Sequence, residues 1–130
     1  NNRSQFEQTK DNRLIVDASN ANPTSMAAAL DNFAQIKAEH KMVIIGDMKE
    51  LGVVSHDEHQ KIVDMLNALD IETVWLVGAE FEHCDTPQSF RLFDNVEQVK
   101  EAIAADKPHG KYILVKGSNS TKLFELPELL

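Results

Sequence analysis

The sequence contains a single cysteine, Cys84, so no disulfide can form within the chain. Nothing in its cysteine content therefore points to an oxidising compartment. Long hydrophobic runs are also missing, because stretches such as "VWLV" are far too short to cross a bilayer. The sequence has no basic segment followed by an apolar core, so no signal peptide is predicted. These absences predict a cytoplasmic protein without membrane insertion.

Positive charge is scarce. Only 13 Lys and Arg residues stand against 21 Asp and Glu, which gives a formal net charge of −8. Nucleic-acid surfaces and anionic membranes both select basic patches, so the sequence argues against either partner. The length of 130 residues suits one domain.

Several nucleotide and metal signatures are missing as well. The sequence has no G-x-x-x-x-G-K-[ST] phosphate-binding loop and no G-x-G-x-x-G dinucleotide fingerprint. His56 and His59 lie three positions apart beside acidic residues, which allows a metal site but favours a solvated helix start. We therefore predict no metal ligands and no ATP-hydrolysing centre in the chain itself.

Apolar segments alternate with amphipathic ones along the rest of the sequence. Strands are predicted at 13–18, 41–46, 73–78 and 111–117, with a shorter one near 90–93, and helices at 23–40, 55–69 and 94–105. The predicted helix starts are Asn22 before Pro23, a capping box of Ser55 with Glu58, and Asp94 with Glu97. The last residues are predicted to be helical and interrupted at Pro127.

This alternation predicts one α/β domain with a mostly parallel sheet and helices on both faces. The polar first segment, residues 1–12, reads as the remnant of an interdomain linker, with the domain covering residues 13–130. We therefore expect the chain to be part of a larger protein.

Polar residues collect where the predicted strands end. In open parallel sheets, ligands bind beyond the carboxyl ends of the strands, so these residues are the candidate site. They are Asp17, Asn20, Asn22, Asp47, Gly78, Lys116, Gly117, Ser118 and Asn119. Each has a simpler interpretation: Asn22 can be only a helix cap, and the "GD" and "KGS" segments can be plain turns. Their convergence on one rim is the stronger signal.

Three ordered motifs carry a family resemblance: "DASNANPTSM", "GDMKELG" followed by "SHDEH", and "LVKGSNS". The chain resembles the C-terminal domain of the Mur ligases, the ATP-dependent amide-forming enzymes of peptidoglycan synthesis. Within that family the motifs are most similar to the branch that adds D-alanyl-D-alanine to UDP-MurNAc-tripeptide. The resemblance extends from Arg3 to Leu130.

The resemblance implies a Rossmann-like fold that closes over a central ATPase domain. Arg3, Asp17, Asn20 and Asn22 would bind the nucleotide. The substrate-binding group would be Asp47, Lys116, Gly117, Ser118 and Asn119, near D-alanyl-D-alanine. ATP and Mg would be bound mainly by the central domain, and the enzyme's own central and N-terminal domains would be the protein partners. No catalytic residue is expected in this domain.

Two positions depart from the family pattern, and other interpretations stay open. Ser19 stands where the family has Tyr, and Asn119 stands where it often has Arg. The alternatives are a stand-alone nucleotide- or dipeptide-binding α/β module, the same domain of a different Mur ligase, and a ligase fused to an alanine racemase.

Overall fold

Six strands and four helices alternate along the chain in a computed structural model that describes residues 4–130. The strands are β1 Ser4–Gln8, β2 Arg13–Asp17, β3 Lys41–Gly46, β4 Thr73–Val77, β5 Arg91–Phe93 and β6 Tyr112–Lys116. The helices are α1 Pro23–Gln35, α2 Ser55–Leu69, α3 Ala79–Glu82 and α4 Val96–Ala105. Short 3₁₀ turns lie at Gly52–Val54, Asn119–Thr121, Leu123–Glu125 and Pro127–Leu129.

The strands form one sheet in the order β1-β2-β6-β3-β4-β5. All neighbouring pairs are parallel except β1 with β2, which is antiparallel. The predicted mostly parallel α/β sheet is therefore confirmed. Because β2, β6, β3 and β4 run in the same direction, their carboxyl ends meet at one edge of the sheet. We call this edge the carboxyl rim.

The core lies on both faces of the sheet. One face packs against α1, α2 and α3, and it buries alternate strand residues such as Ile15, Val43 and Leu114. The other face packs against α4 and the C-terminal turns, and it buries the intervening residues, such as Ile44 and Val115. This alternation follows from the two-residue period of a strand, and it explains why the central strands are apolar throughout.

Strand β1 was not anticipated. Residues 4–8 fall in the predicted linker, yet they pair with β2 along its whole length, from Ser4 opposite Asp17 to Gln8 opposite Arg13. All five β1 residues are exposed, which explains why their polar sequence carries no strand signal. The domain boundary at residue 13 stays a prediction.

Helix α1 begins as predicted but ends early. Asn22 caps it in a full capping box with Ser25, each side chain accepting a hydrogen bond from the other's backbone N–H. The helix was predicted to reach residue 40 but stops at Gln35. The Nζ of Lys41 donates to the carbonyls of Phe33, Ala34 and Ile36, and so satisfies groups that the helix end leaves unpaired.

Two predicted caps were wrong. Ser55 continues directly from a 3₁₀ turn and is already in α-helical conformation, so it is not an N-cap and makes no capping box with Glu58. Helix α4 is capped by Asn95, whose side chain accepts from the Gln98 N–H, and not by Asp94.

The C-terminal segment forms successive 3₁₀ turns instead of an interrupted helix. No described helix has the length and apolar character needed to cross a membrane.

Candidate functional site

A buried ion pair joins the ends of β2 and β6 at the carboxyl rim. The Lys116 side chain is 0% exposed, and its Nζ lies 3.2 Å from Asp17 Oδ2. The same Nζ donates to Ser19 Oγ at 3.0 Å and lies 3.4 Å from the Ser19 carbonyl oxygen. Asp17 and Lys116 are direct partners in the parallel register, so the sheet itself places them side by side.

Ser19 bridges the two charged side chains of this ion pair. Its backbone N–H and its hydroxyl both donate to Asp17 Oδ1, at 2.9 and 2.5 Å. Burial alone would raise the pKa of Asp17, but the Ser19 hydrogen bonds and the Lys116 charge outweigh it and hold that pKa below its ordinary value. Asp17 is therefore an anchored carboxylate, with donors on both of its oxygens.

A cleft of about 340 Å³ opens above this ion pair. We call it the Asp17 cleft. Its lining includes two of the four residues predicted for the nucleotide, Asp17 and Asn20. It also includes four residues of the last motif, together with Ala18 and one exposed aromatic ring: Lys116, Gly117, Ser118, Asn119, Ala18 and Phe124. Asn20 and Asn119 are exposed there. Asn22 is a helix cap outside this lining, and Arg3 lies outside the described residues.

Asp47 lies on the other side of the β6 end. Its side chain is 1% exposed, yet Oδ1 has no hydrogen-bond partner among residues 4–130. The Nζ of Lys49 is 3.3 Å from Oδ1 without hydrogen-bond geometry, and Oδ2 has only 3.5 Å contacts, to Lys49 Nζ and the Glu80 N–H. A buried carboxylate with so few short bonds is unusual and retains acceptor capacity.

Asp47 faces a second cleft, of about 460 Å³. We call it the Asp47 cleft. Its polar lining combines acids with two exposed lysines and two hydroxyls: Asp47, Lys49, Asp94, Asn95, Glu97, Ser120, Thr121 and Lys122. The ends of β3 and β4 and the turn after β6 therefore form one concave site with both charge signs.

Two glycines allow neighbouring segments of the carboxyl rim to approach each other closely. Gly117 lies so close to β3 that an added Cβ would be 2.8 Å from Gly46 Cα. Gly78 has a φ of +120°, and its Cβ would be 2.3 Å from Asp47 Oδ2. Both positions exclude side chains on geometric grounds. The glycine of the predicted "KGS" turn thus has a packing role.

The structure pairs the predicted site residues differently from their assignment to nucleotide and substrate in the sequence analysis. Lys116 was assigned with Asp47 to the substrate, but its Nζ contacts Asp17, a predicted nucleotide residue. Ser118 was also assigned to the substrate, but its N–H donates to the Asp47 carbonyl oxygen at 3.2 Å. Residues 116–119 line the Asp17 cleft, and the next three residues, 120–122, line the Asp47 cleft. The individual binding roles stay predictions.

The sequence predicted a solvated helix start at His59, which is wrong because this side chain is fully buried, and it did not single out Glu80. His59 is 0% exposed; its Nε2 accepts the Met48 N–H at 2.9 Å, and its Nδ1 lies 2.7 Å from the Ser55 carbonyl oxygen. Glu80 accepts a hydrogen bond from the Ser55 hydroxyl, which holds the pKa of Glu80 below its ordinary value. The available signal was the buried stripe of α2, since His59 precedes Ile62, Val63 and Leu66 at helical spacing.

The sequence profile of the family "Mur ligase, glutamate ligase domain" matches residues 2–119. The chain is 36% identical over 124 residues to UDP-N-acetylmuramoyl-tripeptide–D-alanyl-D-alanine ligase of Treponema pallidum, covering 90% of this chain and 27% of that protein. The ligase of the same name from Rickettsia prowazekii is 34% identical, with 93% and 28% covered. The chain thus spans little more than a quarter of the length of these relatives.

Solved structures show the same fold. A MurF ligase from Thermotoga maritima in complex with ADP superposes with a TM-score of 0.78 at 21% identity, covering 98% of this chain and 30% of that one. MurF from Acinetobacter baumannii gives a TM-score of 0.74 at 29% identity, with 95% and 28% covered.

Proposed function

Because the chain belongs to the Mur ligase family, we propose that it is the C-terminal domain of a bacterial, cytoplasmic ligase that adds D-alanyl-D-alanine to UDP-MurNAc-tripeptide. In that reaction the tripeptide carboxylate takes the γ-phosphoryl group of ATP, and ADP leaves. The dipeptide amine then attacks the acyl carbon, phosphate leaves, and an amide forms. Such chemistry depends mainly on positioning and charge neutralisation, which a closing domain can supply.

One observation carries the proposal: two carboxylates on the same rim, a buried Asp47 and a partly buried Asp17, differ in what they can still accept. Asp17 already has donors on both oxygens, among them a fully buried lysine. Asp47 has an oxygen without a hydrogen-bond partner within residues 4–130. A cationic ligand is therefore better accommodated at Asp47, whereas the Asp17 cleft suits a ligand with hydroxyl groups. A dipeptide ammonium and a nucleotide ribose are ligands of these two kinds.

The Asp47 cleft also fits the other end of a dipeptide. Its Lys49 and Lys122 are exposed, and Ser120 adds a hydroxyl donor for a carboxylate, whereas the Thr121 hydroxyl already donates to the Ser118 carbonyl oxygen at 2.6 Å. Lys116 and the Ser118 N–H, which belong to the predicted substrate-binding group, are already bonded within the protein. We therefore place the dipeptide carboxylate on the lysine side of the Asp47 cleft, with Lys116 anchoring Asp17.

The magnesium ion belongs elsewhere in the complete enzyme. No group of three His, Cys, Asp or Glu side chains suited to a metal occurs in the described part of the chain. Since ATP-dependent ligases need their metal at the phosphates, we propose that the central domain holds both Mg and the triphosphate. The isolated 130-residue chain then has no ligase or ATPase turnover.

The test is phosphate release by the complete ligase with ATP and UDP-MurNAc-tripeptide, with and without D-alanyl-D-alanine. We expect release that requires the dipeptide, and none from the 130-residue chain. Release that requires a single amino acid would assign the chain to a different Mur ligase. No release with any amino compound would favour a stand-alone binding module and implicate Ser19, the departure from the family Tyr.

Matched variants of the complete ligase test the two clefts. Asp47→Asn keeps the size of the side chain but removes its charge, so we expect a higher KM for the dipeptide and little change for ATP. Asp17→Asn should raise the KM for ATP and leave the KM for the dipeptide nearly unchanged. Equal effects of both variants on both substrates would contradict the division of the rim into two binding sites.

A further inference from the structure

His59 is a buried polar side chain with no part in the function proposed above. It lies on the apolar face of α2, 0% exposed, with the Phe81 ring packed edge-on at a centroid distance of 4.8 Å. Both ring nitrogens are used. Met48 N–H is a donor, so Nε2 is the acceptor, and Nδ1 carries the proton that is directed to the Ser55 carbonyl oxygen.

These bonds are part of a closed circuit around Asp47. Met48 directly follows Asp47 and is bonded to His59, which is bonded to Ser55. The Ser55 hydroxyl donates to Glu80 at 2.5 Å. The Glu80 backbone N–H is in turn 3.5 Å from Asp47 Oδ2. The circuit ties the end of β3 to the starts of α2 and α3.

The backbone of Asp47 is fixed by the sheet. Its N–H donates to the Val77 carbonyl, and its own carbonyl accepts from the Ser118 N–H. Its carboxylate, by contrast, has only contacts of 3.3 to 3.5 Å. The Asp47 carbonyl and the Met48 N–H belong to one peptide group, which Ser118 and His59 therefore hold from opposite sides. The direction of the Asp47 side chain and the position of Lys49 depend on this peptide.

We propose that His59 is a positioning residue for the amino substrate: it fixes the Met48 peptide and thereby the Asp47 carboxylate and Lys49 at the mouth of the Asp47 cleft. Without an acceptor, the buried Met48 N–H would have no partner, and segment 48–54 would shift toward water to hydrate it. The inference rests on the proposed function, because it assigns the amino substrate to this cleft.

Two conservative variants of the complete ligase distinguish the hydrogen bond of His59 to Met48 from its hydrogen bond to Ser55. In His59→Gln the side-chain amide oxygen reaches the former Nε2 position and can accept from Met48. In His59→Asn the shorter amide reaches only the Nδ1 position, so the bond to Ser55 is retained and the bond to Met48 is lost. His56→Gln and His56→Asn are the matched controls, because His56 is exposed at the start of the same helix.

We expect His59→Asn to raise the KM for D-alanyl-D-alanine by about ten-fold, while the KM for ATP changes by less than about two-fold. His59→Gln should keep a dipeptide KM close to that of the wild type. Amide hydrogen exchange of residues 48–54 should become faster in the Asn variant and stay slow in the Gln variant. The His56 variants should change none of these quantities.

Equal impairment by Asn and Gln, or an unchanged dipeptide KM in the Asn variant, would overturn the proposal. Wild-type exchange gives a check that needs no variant: a Met48 amide that exchanges as fast as the exposed Glu50 amide would also overturn it. If the wild-type ligase shows no release that requires the dipeptide, the proposed function fails and this proposal with it. Wild-type release with normal kinetics in His59→Asn would overturn only the role of His59.

Discussion

Replacing Lys116 by methionine tests the buried ion pair on which the carboxyl rim is built. Methionine has nearly the same length and keeps the packing of the aliphatic stem, but it removes the charge and three hydrogen-bond donors. Lys116 is 0% exposed and Asp17 is 11% exposed, so water cannot replace the ammonium without opening the rim. The variant leaves Asp17 Oδ2 and the Ser19 oxygens without their common donor.

Removing one partner of a buried ion pair destabilises a protein by about 3–5 kcal/mol. Asp17 keeps two hydrogen bonds from Ser19 and lies beside an open cleft, so the lower end of this range applies. With a urea m-value of about 1.5 kcal/mol/M, a loss of about 3 kcal/mol lowers the unfolding midpoint by about 2 M.

The assay is urea unfolding of the 130-residue chain followed by circular dichroism. Lys111→Met is the matched control: Lys111 immediately precedes the same strand, and its ion pair with Glu72 is open to water, with side chains 23% and 45% exposed. We expect a much smaller change in that variant, because exposed ion pairs contribute little. A midpoint shift for Lys116→Met no larger than that of the control would refute the reasoning. A double variant with Asp17→Asn should be less destabilised than the sum of the two single variants.

Three further predictions concern single residues of the rim. Gly78→Ala should destabilise the chain by about 3 kcal/mol in urea unfolding, because it combines a positive φ with a clash against Asp47. Gly52→Ala, at φ +57° with open space around it, should lose only about 1 kcal/mol. The folded-state pKa of Asp17 is lowered, so its contribution to stability is present above its ordinary value of 3.8 and is lost as the pH falls below it. Acid unfolding of Asp17→Asn should therefore show a shallower loss of stability below about pH 4 than the wild type. Asn22→Ala should lower the free energy of unfolding by about 1 kcal/mol and leave the KM of ATP in the complete ligase unchanged, as expected for a helix cap.

The central strands of the sheet could be predicted from the sequence because they carry strong local signals. Residues 41–46 are apolar without interruption, and the structure has β3 at Lys41–Gly46. Strand β1 could not be found in this way, since its stability comes from pairing with β2 and not from burying side chains. The early end of α1 was equally hidden, because the Lys41 side chain that terminates it comes from the next strand.

At the site, the sequence indicated which residues converge but not how they pair. Asp17 and Lys116 are almost a hundred residues apart, and their contact follows only from the strand order β2-β6-β3. The same order leaves Asp47 on the far side of β6 from Asp17. His59 was interpreted as part of a solvated helix start, with a metal site as the alternative, although its position in the buried stripe of α2 was visible in the sequence.

The rim shows why a motif residue need not contact a ligand. Gly117 is required by the approach of β6 to β3, and the Ser118 N–H is bonded to the Asp47 carbonyl, so two members of the "KGS" segment hold the two strand ends together. We propose that their effect on ligands is indirect, because they constrain the strand ends that carry Lys116 and Asp47. We propose that direct contacts fall to groups that the protein leaves partly unbonded or exposed, among them the Asp47 carboxylate, Asn20 and Asn119. Substitutions at Gly117 should therefore weaken binding in both clefts together, whereas substitutions at Asp47 should affect only one. That contrast, measured as the KM values of ATP and dipeptide in the complete ligase, distinguishes residues that build the rim from residues that bind.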